Sequence, residues 1–213
     1  MNRVHTVGSA KIVLGTGNVD ADGAPDAYGP NNSGTDLTSD AGHPGNWWAL
    51  VIRGGNPVIQ GPNDPNPGDY VSTTALFDPS FPTSDPRHWV NADTIPFAVI
   101  PGSPHFGVAI GDYGFALRLD TGDSSPIIVA DSGPDGQLGE ISIAAAKNLN
   151  LNPSPRDGGT QANKILYVFF PGSSKGWSNA TTAEDVLSAA NQLLLALGGI
   201  DALRSLPFDL SKF

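Results

Sequence analysis

The chain has 213 residues, 39% of them hydrophobic and none of them cysteine, so it can form a sizeable core but no disulfide, thiolate metal site or cysteine nucleophile. Its 11 lysines and arginines stand against 21 aspartates and glutamates, and the formal charge of −10 disfavours nucleic acid as a partner and favours polycations. Because 26 glycines and 19 prolines are spread among recurring apolar runs, we expect short strands joined by turns in one domain spanning residues 1–213.

Short apolar or alternating runs bounded by Gly, Pro, Asn or Asp predict strands along most of the chain. They lie at residues 11–14, 47–52, 58–60, 70–76, 97–100, 106–110, 115–119, 127–131 and 165–170. The sequence Gly54-Gly55-Asn56-Pro57 predicts a hairpin turn between the second and third of these strands.

Two segments predict helices instead. Residues 141–149 are rich in alanine, and residues 183–197 carry apolar side chains at helical spacing. The second segment begins after Thr181-x-x-Glu184, a capping-box pattern, and ends at Gly198-Gly199. The fold class is therefore predicted to be mainly β, of the α+β kind.

No run of about 18 apolar residues is present, and the first residues lack an apolar signal region. We expect no membrane partner and a monomeric protein.

Two acidic residues flank one loop late in the chain. An apolar run ends at Asp131, a Gly/Pro loop follows, and Glu140 stands where the alanine-rich helix is predicted to begin. Glycoside hydrolysis needs two such carboxyl groups, because one protonates the leaving oxygen while the other activates water or attacks the sugar. The structural alternative is an ordinary turn acid and a helix-capping acid.

The loop occurs in a fixed order with other motifs. They are Asp20-Ala21-Asp22-Gly23-Ala24-Pro25-Asp26-Ala27-Tyr28, Gly45-Asn46-Trp47-Trp48, Pro62-Asn63-Asp64-Pro65, Tyr70-Val71-Ser72-Thr73-Thr74-Ala75-Leu76, Ile95-Pro96-Phe97, Ile110-Gly111-Asp112 and Phe169-Phe170-Pro171-Gly172-Ser173. In this combination, residues 11–175 resemble the chitosanases of glycoside hydrolase family 75, especially the bacterial ones. The chain differs from that family at Ile141, where the family usually has glycine after the acid, so a different preferred polymer is compatible with the resemblance.

The resemblance implies an inverting, endo-acting hydrolase of β-1,4-linked glucosamine polymers, secreted from the cell. Glu140 matches the general acid and Asp131 the base that activates water. The residues themselves leave these roles open, because a helix N-terminus would lower the pKa of Glu140 whereas burial would raise it. The alternatives are a hydrolase of another wall polysaccharide (chitin-like, peptidoglycan or β-glucan) and a non-catalytic carbohydrate-binding module.

The order of strands, Gly-Asp, Thr-Gly turn, Asp-x-Gly-Pro loop and alanine-rich helix is also similar to the double-psi β-barrel of expansins and some endoglucanases. In those proteins the Asp of Asp-x-Gly-Pro commonly lies in a polysaccharide cleft, which again indicates Asp131. We therefore predict a six-stranded barrel of the double-psi type with extra strands and two or three helices.

Three further acids are predicted to bind substrate ammonium groups: Asp20, Asp22 and Asp112. Asp112 ends an apolar run much as Asp131 does, although a turn acid bonding its own backbone fits that position equally well. The segment Asp20-x-Asp22-Gly23 also suggests a calcium loop, but it lacks the later ligands and closing Glu of an EF-hand.

Aromatic side chains are candidates to stack on sugar faces, although aromatics beside strands more often belong to the core. The candidates are Trp47, Trp48, Tyr70, Trp89 and Trp177. Tyr70 is preferred because polar residues follow it, namely Ser72, Thr73 and Thr74.

The four histidines are scattered without ligand spacing: His5, His43, His88 and His105. We expect no metal and no organic cofactor. The expected partner is a polysaccharide, cationic chitosan.

Overall fold

The computed structural model describes residues 4–103, 105–136 and 138–205. In these ranges the strands are β1 (Val4–Val7), β2 (Ala10–Asp20), β3 (Gly42–His43), β4 (Asn46–Trp47), β5 (Ile52–Arg53), β6 (Asn56–Pro57), β7 (Phe97–Pro101), β8 (Tyr113–Arg118), β9 (Ser124–Gly133), β10 (Glu140–Ser142) and β11 (Thr160–Phe170). The α-helices are α1 (Ile143–Asn148), α2 (Ala183–Leu195) and α3 (Gly199–Ser205).

Six strands close into a barrel, which confirms the predicted architecture. Around the barrel the order is β2, β10, β7, β9, β8 and β11, and β11 pairs back with β2. The pairs β10–β2 and β7–β9 are parallel, and the other neighbours are antiparallel. β1 is an additional strand on β2, outside the closed set. Each barrel strand therefore has a hydrogen-bonded neighbour within the barrel on either side, which removes the exposed edges of an open sheet.

Alternation along the strands divides the core into two apolar clusters on opposite faces of the barrel wall. The inner cluster takes side chains from all six strands, among them Val13, Ile127 and Tyr167. The outer cluster includes Phe97 and Ile128 and is covered by α2 and by residues of the long segment between β2 and β7. The outer face of the wall is thus a packing surface as well, and a cleft can form wherever this cover leaves space.

Glycines in β2 make room for large inner side chains. A Cβ on Gly15 would lie 2.8 Å from the carbonyl oxygen of Leu138 and 3.1 Å from the Tyr167 ring. The Tyr167 hydroxyl donates a hydrogen bond to the Thr16 carbonyl at 2.7 Å. A side chain at position 15 would therefore displace the aromatic core of the barrel.

The segment of residues 21–96 joins β2 to β7 with little regular structure, so the strands predicted at 47–52, 58–60 and 70–76 are mostly wrong. Its strands have two residues each, it has three short 3-10 helices (Pro30–Asn32, Thr38–Ala41 and Pro86–His88), and its other pairings are the isolated bridges Leu50–Ser72, Ile59–Tyr70 and Phe77–Trp89. The Gly54–Gly55 turn is confirmed between β5 and β6, with both residues at positive φ. The backbone of this segment forms short pairings with itself and with the barrel. Alternation of polar and apolar residues along the sequence does not predict such pairings.

One further predicted strand and the starts of two helices differ from the sequence expectation. Residues 106–110 form turns, with Phe106 at φ 59°, and not a strand. The first helix begins at Ile143, after Ser142, whose hydroxyl accepts a hydrogen bond from the Ala145 amide as N-cap. The capping box of α2 lies one residue later than expected, at Thr182 and Asp185. Within the described ranges, no helix is both long and apolar enough to cross a membrane.

Candidate active site

Glu140 and Asp131 lie in one row across the barrel wall. Glu140 on β10 is in register with Val99 on β7, and Val99 is in register with Asp131 on β9. Glu140 therefore belongs to a strand. The sequence had predicted that it stands at the start of a helix, and that prediction is wrong. One strand separates the two acids, with the Val99 side chain between them, so their backbones are about 9–10 Å apart.

A bulge in β9 keeps Asp131 on the outer face. The pairing of β7 with β9 shifts between Ala98–Val129 and Val99–Asp131, so Ala130 is an extra residue on β9. Ala130 packs in the outer cluster, and regular alternation would then direct the next side chain into the barrel. The extra residue instead places Asp131 beside Val99 and Glu140, where all three line the same cleft.

The Glu140 carboxyl lies over the end of β9. A Cβ on Gly133 would be 3.0 Å from Glu140 Oε2, so glycine at this position leaves the space that the carboxyl occupies. Burial raises the pKa of Glu140, because desolvation disfavours the charged form. The helix-dipole effect considered from the sequence does not apply, since α1 begins three residues later.

Asp131 is held by two backbone amides. Its Oδ1 accepts hydrogen bonds from Ser132 N at 2.7 Å and from Ala75 N at 3.1 Å. Burial nevertheless raises the pKa of Asp131 to about 7, and the charge of Glu140 adds to the effect of burial, while the two amides oppose it.

Asp20 and Asp22 converge on Asp131. One carboxylate oxygen of each residue lies within 4.8 Å of the other two. Asp20 is the last residue of β2, and its Oδ1 accepts a hydrogen bond from the Asp22 amide at 2.7 Å. The Asp22 carboxyl accepts a hydrogen bond from the Tyr28 hydroxyl at 2.7 Å. Burial and then the neighbouring carboxylates raise the pKa of both Asp20 and Asp22 well above the ordinary range.

These acids line a cleft of about 390 Å³ between the barrel wall and the segment of residues 21–96. From that segment come Tyr28, Asp36, Ser39, Asp40 and Trp48. The ion pairs of the described residues join Arg87 to Asp85, and Arg118 and Lys164 to Asp120, none of which lines the cleft. The cleft is therefore lined by many carboxyl groups and, within the part of the chain that the structure describes, by no lysine or arginine, which suits a cationic guest.

The cluster of Asp20, Asp22 and Asp131 has the oxygen donors that either an ammonium group or a hard divalent cation prefers. Three like charges at this separation cannot all ionise without a counter-ion, so protons or a bound cation must stabilise them. Chemically, the cleft offers a buried proton donor, an oriented carboxylate and a binding site for positive charge.

Asp112 lies elsewhere. Its side chain is fully buried, 0% exposed, and accepts backbone hydrogen bonds from Ala109 at 2.9 Å, Ser173 at 2.9 Å and Ser174 at 3.2 Å. The structure does not bring it to the cleft, and these contacts fit the turn-acid alternative instead of contact with a substrate.

The polar residues near Tyr70 do not line the cleft either. Ser72 and Thr74 are buried, and their hydroxyls connect backbone groups: Ser72 bonds Gly23 and Ala49, while Thr74 bonds Val90 and Leu76. The backbone amide of Thr73 donates to Ala49 O at 2.9 Å, and Tyr70 packs against the outer cluster. They contribute indirectly, because the same segment places the Ala75 amide against Asp131.

Several cleft residues were not singled out from the sequence as substrate contacts. Tyr28, Asp36 and Asp40 lack a local signal, because turns bring them to the cleft. Trp48 was one of five aromatic candidates, but only its exposure and its position in the cleft distinguish it from the others.

No family model matches this chain, and none of the curated proteins compared with it is significantly similar. Any function for the protein therefore rests on its own geometry and on the motifs it carries.

Proposed function

We propose that the protein is a glycoside hydrolase that cleaves β-1,4-linked glucosamine polymers, as its resemblance to the family 75 chitosanases implies. The observation that carries the proposal is the row of Glu140, Val99 and Asp131 facing one anionic cleft. Two carboxyl groups that face the same cleft are the minimum equipment for this reaction.

Glu140 is the general acid in this proposal. Its raised pKa supports the role, because a proton donor must retain its proton near the working pH. As the glycosidic bond breaks, the Glu140 proton passes to the leaving oxygen, and the bond electrons leave with that oxygen.

Asp131 is the base. Its two amide donors fix the carboxylate orientation, and a pKa of about 7 suits a group that takes a proton from water at neutral pH. The deprotonated water attacks the anomeric carbon from the face opposite the leaving group.

The resemblance implies inversion and not retention. One strand lies between the two acids, and Glu140 Oε2 lies over Gly133, two residues beyond Asp131 on β9, so this geometry is compatible with a water molecule between the carboxyls. Inverting enzymes leave about 6.5–9.5 Å between the carboxyls to accommodate water, whereas retaining enzymes have about 5 Å.

The anionic cluster supports a cationic polymer as substrate. Glucosamine units carry ammonium groups near and below neutral pH, and Asp20, Asp22 and Asp131 lack a cationic partner among the ion pairs of the described chain. Binding of an ammonium group would replace protons and so relieve the repulsion among the carboxylates.

The test is the variant Glu140→Gln, assayed by reducing-end release from chitosan in the presence and absence of a chelator. We expect activity to fall at least about 100-fold with thermal stability retained, because general acid–base groups contribute about 10²–10⁴. Glu184→Gln is the matched control, since Glu184 is the chain's other glutamate, is exposed in the first turn of α2 and lies outside the cleft.

Product stereochemistry completes the test. Early NMR spectra of the wild-type digest should contain the α-anomer, since inversion converts the β-linkage. A folded Glu140→Gln protein with wild-type turnover, or no turnover of chitosan by the wild type, would refute the proposal. Loss of wild-type activity in the chelator, restored by a divalent cation, would instead identify the acidic cluster as a metal site.

A further inference from the structure

One wall of the cleft presents an aromatic side chain to solvent. Trp48 is 59% exposed and lines the cleft together with the acids. Single exposed apolar side chains are common, and what distinguishes Trp48 is that its exposed ring lies inside the cleft. Its position in the cleft links that exposure to whatever ligand the cleft accepts.

The indole of Trp48 is fixed in place. Its Nε1 donates a hydrogen bond to the backbone oxygen of Asp40 at 2.9 Å, and His43 packs edge-on against the ring at 6.3 Å between centroids. Trp48 follows the β3–β4 hairpin directly, and its own amide donates to Ala41 O at 3.1 Å. The ring therefore loses little conformational freedom when a ligand binds, which favours its use as a stacking surface.

Carboxyl groups lie next to this ring. Asp40 and Asp36 both line the cleft, and their side chains are close enough to share a hydrogen bond. Arg156 anchors the backbone of the same segment by donating to the carbonyls of Asn32 and Thr35 at 3.0 Å each. The positive charge of Arg156 acts on Asp36, so Asp40 is the carboxyl of this wall that is left to face a cationic ligand beside the Trp48 ring.

We infer that Trp48 and Asp40 form a subsite for a positively charged sugar, separate from the catalytic row. The Trp48 ring stacks on the apolar face of a pyranose, and the Asp40 carboxylate, next to Asp36, binds the ammonium group of an amino sugar. The inference rests on the proposed function for the polymer class, and it adds that this wall selects deacetylated units. Trp48 sets affinity for sugars in general, while Asp40 sets the preference for charge.

The experiment measures binding in the Glu140→Gln background, by calorimetry with glucosamine oligomers and with uncharged N-acetylglucosamine oligomers of equal length. We expect Trp48→Ala to weaken binding of both oligomers about five- to tenfold, with Trp48→Phe retaining most of the affinity. We expect Asp40→Asn to weaken binding of the charged oligomer alone. Ile59→Ala is the control, because Ile59 belongs to the same segment, is 57% exposed and lies outside the cleft.

Unchanged affinity in folded Trp48→Ala, or equal losses for both oligomers in Asp40→Asn, would overturn the subsite. Asp40→Asn retains the backbone oxygen that holds Trp48, so it tests the carboxylate even if Trp48→Ala unfolds. Turnover of chitosan by the wild type is a separate measurement: its absence would refute hydrolysis, whereas the binding constants alone decide on the subsite.

Discussion

Asp131 is surrounded by other carboxyl groups, and this affects how tightly the folded protein binds protons. The residue has a pKa of about 7 in the folded protein, against an ordinary value of about 3.9. Between these two values the unfolded chain has lost a proton that the folded chain retains. The folded state binds more protons, so the free energy of unfolding falls as pH rises.

This pH dependence of stability is opposite to that of a salt-bridged carboxylate, whose contribution to stability is lost as pH falls. The contribution of Asp131 is fully present below about pH 4 and is lost as pH rises through about 7. Asp20 and Asp22 shift in the same direction, as burial and the neighbouring charges raise the pKa of each. The residues that we propose for binding and catalysis thus lower stability at neutral pH, as is common at functional sites.

We predict that wild-type stability falls between about pH 4 and pH 7 and that Asp131→Asn reduces this fall. At pH 8 the variant should melt higher than the wild type, by about 2–4 °C for each kcal/mol of repulsion removed. Urea or thermal melts across this range measure the effect. Asp157→Asn, at an exposed acid outside the cleft, should follow the wild-type slope. Parallel curves for the wild type and Asp131→Asn would contradict the prediction.

Among the elements, the turn after β11 depends on Asp112. The carboxyl accepts three backbone amides and connects the start of β8 to residues 173 and 174 beyond β11. Buried amides that lose their acceptor incur a desolvation penalty of about 1–3 kcal/mol. A substitution of Asp112 should therefore lower the stability of the folded protein.

We predict that Asp112→Asn lowers the melting temperature by about 2–12 °C and leaves the KM for chitosan unchanged. The amide of asparagine presents a donor where the carboxylate accepts, and the residue is outside the cleft. Calorimetry and steady-state kinetics on the same preparation separate the two effects. A raised KM at unchanged stability would restore the substrate-binding role expected from the sequence.

Five of the six barrel strands could be predicted because each of them contains a local apolar run, as in residues 127–130 and 165–170. β10 could not, because it has only three residues before α1, and the strands that define it, β2 and β7, are distant in sequence. The acids Asp131 and Glu140 were identified by motif. Their shared row depends on the bulge at Ala130, which leaves no signature in the amino-acid sequence.

The long segment between β2 and β7 was the least predictable element. Its positions are set by hydrogen bonds such as Leu76 N to Ala130 O at 2.8 Å, which connect it to the barrel wall. Residues such as Asp40 and Trp48 enter the cleft only because this segment folds over the outer face. Sequence patterns report the faces of strands and helices, and they carry little information about irregular backbone.

For the whole molecule, the excess of acids over bases gives a formal charge of −10. The cleft concentrates part of this charge in a confined, partly desolvated space, which strengthens its attraction for a polycation. Salt screens such attraction over a distance of about 10 Å at 0.1 M and about 3 Å at 1 M.

We predict that the KM for chitosan rises about 3- to 10-fold between 0.05 and 0.5 M salt, with a smaller change in kcat. Salt screens the encounter and binding of the charged polymer more than it affects proton transfers at buried groups. Initial rates over a range of chitosan concentrations provide the measurement. Binding of uncharged N-acetylglucosamine oligomers to Glu140→Gln is the salt-insensitive control. A KM for chitosan that is independent of salt would favour a neutral glycan as substrate.

Pairing of β10 with β2 and of β7 with β10 and β9 also determines when during folding the acids first meet. Asp20 lies near one end of the chain, whereas Asp131 and Glu140 come from strands more than 100 residues later, so their approach requires late, long-range pairing. A transition state that precedes this pairing does not experience the repulsion among the carboxylates. The repulsion then accelerates unfolding and leaves the folding rate nearly unchanged, so a cationic ligand in the cleft would lengthen the lifetime of the native state.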